Sequence, residues 1–260
     1  MRNDVNAAAV CLPDLKGEAD ANLAEALRCV RERVSQGAEL VVLPEAGLQG
    51  YPAGAQTYTR EQIVGWAEPN DGPRIGVLRA LAAELSIHLV AGYDRIDGDR
   101  LYNTAELIGP DGVVLGRYDK THVRSGGDVG LYEPGAGLPV FDTPWGGVGM
   151  LICNDRVYAE TWRVLMLRGA RMVLIPSNGS YSEGNTRRLQ TMAVDNGVAC
   201  LFAHPRRGLV IAPNGALLDH DEDERRRFAQ GAVDLSRVEE SQRGIRHRRR
   251  ADLYGDVLTG

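Results

Sequence analysis

The 260-residue sequence predicts an α/β protein in which two mixed sheets pack face to face beneath covering helices. Three observations lead there. Segments of strand length alternate with helical patterns along the chain, the arrangement that lays helices over sheets. Strand-like runs such as "ELVVLPE" and "RMVLIPS" are apolar throughout rather than alternating, as strands buried on both faces are. Two turn signals, Pro110-Asp111-Gly112 and Asn214-Gly215, join neighbouring runs into hairpins, so part of the pairing is antiparallel and the sheets are mixed.

The elements follow in order. "NAAAVCL" is the first strand, and "EADANLAEALRCVRERVSQG" a helix ending at Gly37, a residue suited to the left-handed position after a helix. "AELVVLPE" is a buried strand; "GPRIGVLRALAAELS" is a helix with Pro73 at its start, where a missing N–H does no harm. "IHLVAGYDRI", "LYNTAELIG" and "VVLGRYDK" read as strands, and "VGMLIC" as another. Helix "ETWRVLMLRG", strand "RMVLIPS", helix "TRRLQTMAVDN" and strand "VACLFAH" come next, then the hairpin "GLVIAPNGALLD" and a last strand "FAQGAVDL". No repeat, linker or low-complexity segment interrupts them. Residues 1–260 therefore read as one domain, with 238–260 a C-terminal tail.

Composition removes several functions. A formal net charge of −5 gives no electrostatic reason for a nucleic-acid or anionic-membrane partner. The basic cluster "RGIRHRRR", Arg243 to Arg250, reads as a solvated or interface segment. The first residues lack the basic start and apolar run of a signal peptide, and nothing approaches the ~20 apolar residues of a membrane span. The four cysteines (Cys11, Cys29, Cys153 and Cys200) lie far apart without zinc-ligand spacing. Free thiols in a reducing, cytoplasmic setting are expected, with no metal.

The chemistry sits at strand ends. Glu45 closes "ELVVLPE", Lys120 closes "VVLGRYDK" and Cys153 closes "VGMLIC", the end of a strand where α/β sheets place their sites. Taken singly, each has an ordinary reading as a strand terminus, a surface amine or a core thiol. Together an acid, an amine and a thiol form a set for acyl transfer. The sulfur must lose its proton to attack, Glu45 could take that proton and return it to a leaving amine, and Lys120 with the Asn154 backbone N–H could hold an oxyanion.

The stretches "VVLPEAGLQGYP", "GRYDKTHV" and "GMLICNDRVYAETWRVLMLRGARMVLIPSNG" resemble the three signature regions of the nitrilase superfamily of carbon–nitrogen hydrolases. The resemblance runs from the first strand to "RRRADLY" near the end. It implies a four-layer α-β-β-α sandwich, pairing into a homodimer or higher homo-oligomer, and no metal or organic cofactor. It also implies Glu45 as general base, Lys120 as oxyanion-stabilising amine and Cys153 as nucleophile. The substrate it implies is a small-molecule amide or carbamoyl compound. Within the same motifs it places Tyr51, Asn154, Arg156 and Asn178 near the substrate.

Cys153-Asn154-Asp155-Arg156 is similar to the N-carbamoyl-D-amino-acid hydrolase branch, where two adjacent arginines bind a carboxylate; here Val157 takes the second place. That branch has a substrate-contacting histidine in a longer segment, where Gly126 stands in this chain. Arg156 thus reads either a substrate carboxylate or pairs with Asp155 or Glu160. The family's second glutamate falls on Asp128, one methylene shorter and expected to reach the lysine less easily, with Glu133 as a substitute. Met192 replaces a family arginine, and His204 stands where the family often has asparagine, at the pocket. Nitrile hydrolysis, acyl transfer to an amine and a catalytically silent subunit stay open beside amide hydrolysis. The helix bearing Trp162, Val164, Leu165, Met166 and Leu167 is expected at the subunit interface, with Arg243 to Arg250 paired to the acidic block Asp219 to Glu224.

Overall fold

The structure is a computed structural model that describes residues 1–52, 58–123, 128–220 and 227–258. The first half contains β1 (Asp4–Val10), α1 (Ala19–Ser35), β2 (Leu40–Val42), α2 (Arg60–Trp66), α3 (Pro73–Leu85), β3 (His88–Asp97), β4 (Arg100–Ile108) and β5 (Val114–Asp119). The second half contains β6 (Val140–Thr143), β7 (Gly146–Met150), α4 (Ala159–Leu167), β8 (Ala170–Pro176), α5 (Glu183–Asn196), β9 (Ala199–His204), β10 (Arg207–Ile211) and β11 (Leu217–His220). β12 (Phe228–Asp234) and α6 (Val238–Arg248) close the order.

The strands form two six-stranded mixed sheets of the same pattern, β12-β1-β2-β3-β4-β5 and β11-β10-β9-β8-β7-β6. In each, three parallel strands (β1, β2, β3 or β7, β8, β9) carry antiparallel neighbours on both sides. The final strand does not extend the second sheet. β12 returns to pair with β1 along its whole length, from Asp4 opposite Asp234 to Val10 opposite Phe228.

Period-two side-chain alternation assigns the layers. Ala7, Ala9, Leu40 and Val42 meet Met172, Leu174, Ala199 and Leu201 between the sheets. The intervening Ala8, Val10, Val41 and Leu43 face outward under α1 and α3, joined by Val30, Leu78 and Leu81. Val173, Ile175, Cys200 and Phe202 face outward under α4 and α5, against Trp162, Leu165 and Leu189. Strands with both faces covered explain the unbroken apolar runs. The resulting order of layers is helix, sheet, sheet, helix.

Several elements differ from expectation. α2 is only seven residues, held by a capping box between Thr59 and Gln62, too short for a helical period to show. β6 is a four-residue hairpin partner of β7. The basic segment is largely helical: α6 docks on its own chain through buried Val238 and Gln242, whose amide donates to the Ala170 carbonyl at 2.7 Å. Arg246 donates to the Met166 carbonyl at 2.6 Å. Residues 221–224 of the acidic block lie outside the described residues. α4 buries Trp162, Leu165 and Met166 in its own subunit, leaving Val164 half-buried and Leu167 exposed. Among the described residues no helix is long and apolar enough to cross a membrane.

One glycine admits the segment that follows β2. A Cβ on Gly92 of β3 would lie 2.2 Å from the Pro44 carbonyl oxygen and 3.1 Å from the Glu45 Cα. Gly92→Ala is therefore expected to lower stability by about 1–3 kcal/mol through overpacking, measured as a lower midpoint in urea, and to reduce activity with it. An unchanged midpoint would show that the segment can yield.

Candidate active site

The three strand-end residues converge, though two lie beyond their strands. β2 ends at Val42, and the chain turns through Ala46 at φ 47° to direct Glu45 inward. Asn103 of β4 donates its amide to Glu45 Oε1 at 2.8 Å, and its carbonyl accepts the Lys120 backbone N–H at 2.9 Å. One strand residue thus orders both groups. Lys120 follows β5 directly, is 1% exposed, and places Nζ 2.8 Å from Glu45 Oε1 and 2.9 Å from Asp128 Oδ2. The Tyr51 hydroxyl donates to the other Asp128 oxygen and lies 3.5 Å from Nζ.

Cys153 lies three residues past β7, opening a 3-10 turn (Cys153–Val157) with φ 45°. A non-glycine residue in left-handed backbone costs on the order of 1–3 kcal/mol and persists only where its surroundings hold it. Asp155 supplies the hold. Its buried carboxylate accepts from Ile152 N at 3.0 Å, Tyr118 OH at 2.7 Å, Thr121 Oγ1 at 3.0 Å and His122 N at 2.7 Å. Thr121 and His122 directly follow Lys120, so Asp155 fastens the cysteine turn to the end of β5.

Electrostatics separate the partners. Burial opposes the Lys120 ammonium, but Glu45, the Cys153 sulfur and Asp128 outweigh it and hold the pKa above its ordinary value. Burial, then Glu45, pushes the Cys153 thiol up, against the pull of Arg156 and Lys120. The resting pair is thus ammonium and thiol. Glu45 is unevenly bonded: Oε1 takes both donors, while Oε2 is buried with no hydrogen-bond partner among the described residues. Asp94 of β3 accepts from Tyr132 OH at 2.9 Å, and burial pushes its pKa up to about 7, with Glu45 and Asp128 adding to the rise.

The other expected residues fall unequally. Asp128 reaches the lysine without difficulty, correcting the expectation drawn from its length: the turn in which Asp128 O accepts Leu131 N and Tyr132 N, at 3.0 Å each, brings its backbone close. Glu133 is exposed, and among the described residues only its backbone is engaged, to Leu101 O at 2.8 Å, so it does not substitute. Asn154, next in the chain to Cys153, is half-buried. Arg156 pairs with neither Asp155, which is saturated as above, nor Glu160. It is 3% exposed, donates to Asn185 Oδ1 and Ser180 O at 2.8 Å each and to Cys153 O, and lies 3.5 Å from Sγ. Met192 packs at the edge of the α5 core. Gly126 lies outside the described residues.

Asn178 and His204 line a cleft of about 650 Å³, with Asp14, Tyr181 and Arg206. None of Glu45, Lys120 and Cys153 forms its wall; Gly179 does, and a Cβ there would lie 2.7 Å from Sγ. The cleft therefore abuts the sulfur through one glycine. His204 Nδ1 accepts the Arg206 N–H at 3.0 Å, and burial pushes its pKa down to about 4, leaving it neutral beside Tyr181. Asn103, Gly179 and Asp94 escaped the sequence reading, since each matters only through a neighbour distant in the chain. Two other thiols are raised in the same way: Cys29 is pushed up to about 11 by burial and Glu25, and Cys200 is raised by burial.

Comparison with known proteins gives a consistent picture. Residues 6–243 match the family model described as carbon-nitrogen hydrolase. The chain is 31% identical over 258 residues to omega-amidase NIT2 of Homo sapiens, covering 90% of this chain and 91% of that one. A carbon-nitrogen hydrolase from Helicobacter pylori G27 superposes with a TM-score of 0.88 at 19% identity, covering 99% of each chain. A mutant of the amidase from Nesterenkonia sp. AN1, with the acetamide moiety of fluoroacetamide added covalently at its active site cysteine, gives 0.80 at 23% identity, covering 98% of this chain and 97% of that one.

Two outcomes follow from this geometry. If the Cys153 sulfur reacts, Gly179→Ala should lower turnover by roughly 10²-fold, the scale of a 1 Å misplacement of a reacting atom, with little change in melting temperature; wild-type turnover would show that the sulfur has room to move or does not react. Asp94 has a raised pKa, so the folded chain binds its proton more tightly than the unfolded one. That stabilisation is complete below about pH 4 and is lost as pH rises through about 7. Asp94→Asn, neutral throughout, should gain melting temperature relative to wild type between about pH 5 and pH 8, and a pH-independent difference would contradict the assignment.

Proposed function

The chain belongs to the carbon–nitrogen hydrolase family, and from that premise we propose that it hydrolyses the amide of a small molecule through a thioester on Cys153, with Glu45 carrying protons and Lys120 holding the oxyanion. The observation that carries this reading is the asymmetry of Glu45, whose Oε1 is taken by Lys120 and Asn103 while the buried Oε2 is unpartnered among the described residues. A carboxylate so arranged has one oxygen for position and one for a proton.

The steps balance. As Cys153 Sγ attacks the carbonyl carbon, the S–H proton passes to Glu45 Oε2 and an S–C bond forms. The oxyanion lies against the Lys120 ammonium and the Asn154 N–H, fixed donors that need no reorganisation. Collapse breaks the C–N bond, and Glu45 returns the proton to the departing amine, which leaves as ammonia from a primary amide. Water then gives a proton to Glu45 and attacks the thioester. The carboxylic acid departs and the thiol recovers its hydrogen.

The omega-amidase relative, and the amidase that carries an acetamide moiety on its active site cysteine, favour an amide as the substrate. A carbamoyl group is the second reading, supported by the sequence Cys153-Asn154-Asp155-Arg156. Pairing of two copies would cover Leu167 and the exposed Leu253, Tyr254 and Val257.

Ammonia release across primary amides, carbamoyl amino acids and nitriles tests the reading; it expects amides to be turned over, and inert amides with a folded protein would remove it. Lys120→Ala should lower turnover by about 10²-fold or more, the loss typical of one oxyanion donor. Lys120→Arg should not restore it, because a planar fork cannot replace a compact ammonium between two carboxylates. Near-normal turnover of Lys120→Arg would assign the lysine a role at a distance.

A further inference from the structure

We propose that Arg156 is a catalytic cation for the Cys153 sulfur, balancing the thiolate as it forms, and not a reader of a substrate carboxylate. The proposal rests on Cys153 being the nucleophile.

The guanidinium is buried, 3.5 Å from Sγ, and among the described residues no carboxylate pairs with it. Its acceptors are neutral: Asn185 Oδ1, Ser180 O and Cys153 O. The Phe202 ring lies 5.4 Å away. A buried charge with no counter-ion is unfavourable, so an anion that forms beside it is stabilised strongly. The nearest atom able to become that anion is the sulfur.

A substrate carboxylate fits less well. Bidentate recognition needs two free parallel N–H groups on one edge of the guanidinium. Nε donates to Asn185, Nη1 is divided between Cys153 O and the sulfur, and Nη2 holds Ser180 O. No edge keeps two free hydrogens. On the cleft side Gly179 intervenes, a Cβ there lying 3.7 Å from Nη2 and 2.7 Å from Sγ.

Charge balance gives the reason for a second cation. Lys120 stands between Glu45 and Asp128, and the three together are net negative by one. A thiolate beside such a trio is opposed by it. Arg156 brings the set to neutrality, and it remains neutral when the S–H proton moves to Glu45. The groups facing the sulfur are Glu45 from the turn after β2, Lys120 from the end of β5, Tyr51, Ser177 from the end of β8, and Arg156 from its own turn. Of the two cations, Arg156 lowers the thiol's pKa more than Lys120 does.

The test is the pH dependence of inactivation by iodoacetamide, with the labelled cysteine identified by peptide mass. In Arg156→Gln the midpoint of Cys153 alkylation should rise by about 1–3 pH units, the usual effect of losing one nearby opposite charge. In Arg156→Lys, which keeps the charge, it should move by less than half as much. Both variants should lose kcat/KM by the same factor on a neutral amide and on its carboxylate-bearing analogue. An unmoved midpoint in Arg156→Gln would overturn the proposal. So would a loss confined to the carboxylate-bearing substrate in Arg156→Lys, a comparison that stands even where Arg156→Gln does not fold. Labelling of a different cysteine would instead overturn the nucleophile on which the proposal rests.

Discussion

A buried ammonium between two carboxylates is the constraint around which this site is arranged. Lys120 meets Glu45 and Asp128 with almost no exposure to solvent. Such an arrangement contributes little net stability when whole, yet removing one member of a buried pair typically costs about 3–5 kcal/mol. That asymmetry makes it a positional device. Glu45 cannot drift without stranding the lysine, and Asn103 holds the carboxylate and the lysine backbone together. Tyr51 secures Asp128 from outside.

Glu45 and Lys120 follow strands of the first sheet, whereas Cys153 follows a strand of the second. The distance from the sulfur to the lysine and its carboxylates therefore depends on how two packed sheets sit against each other. The shared core, in which β1 with its inward Ala7 and Ala9 packs against β9 and β10, sets their separation. Asp155 sets their register at the site, joining the chain beyond Lys120 to the turn of Cys153. An acidic residue two positions after Cys153 thus acts as a brace between layers, and the bonds it takes from Ile152, Tyr118, Thr121 and His122 explain why it has none left for Arg156.

Much of this was legible in the sequence, for identifiable reasons. Unbroken apolar runs announced strands covered on both faces, and Glu45, Lys120 and Cys153 stood out because each broke such a run with a reactive group. Asn103 did not stand out, since nothing in "LYNTAEL" marks one strand position as facing a carboxylate 58 residues away. Gly179 read as an ordinary loop glycine until the sulfur was placed against it. Glu133 shows how counting fails without geometry: the chain turns at Gly130 with φ 80°, sending Tyr132 inward and Glu133 outward. The C-terminal arginines concealed a helix because only Val238 and Gln242 of it are buried.

The pairing of β12 with β1 has a consequence for how the molecule is made. The joined residues Asp4 and Asp234 stand 230 positions apart (234 − 4). During synthesis, β1 emerges from the ribosome well before its outer neighbour, so one edge of the first sheet stays open while the residues between them are translated. Open edges invite pairing with other chains, and contacts so distant in sequence slow folding. The centre of β1 is Ala7-Ala8-Ala9, residues of low strand preference, which give a nascent neighbour little to grip. The edge is thus muted in the interval before its own partner arrives.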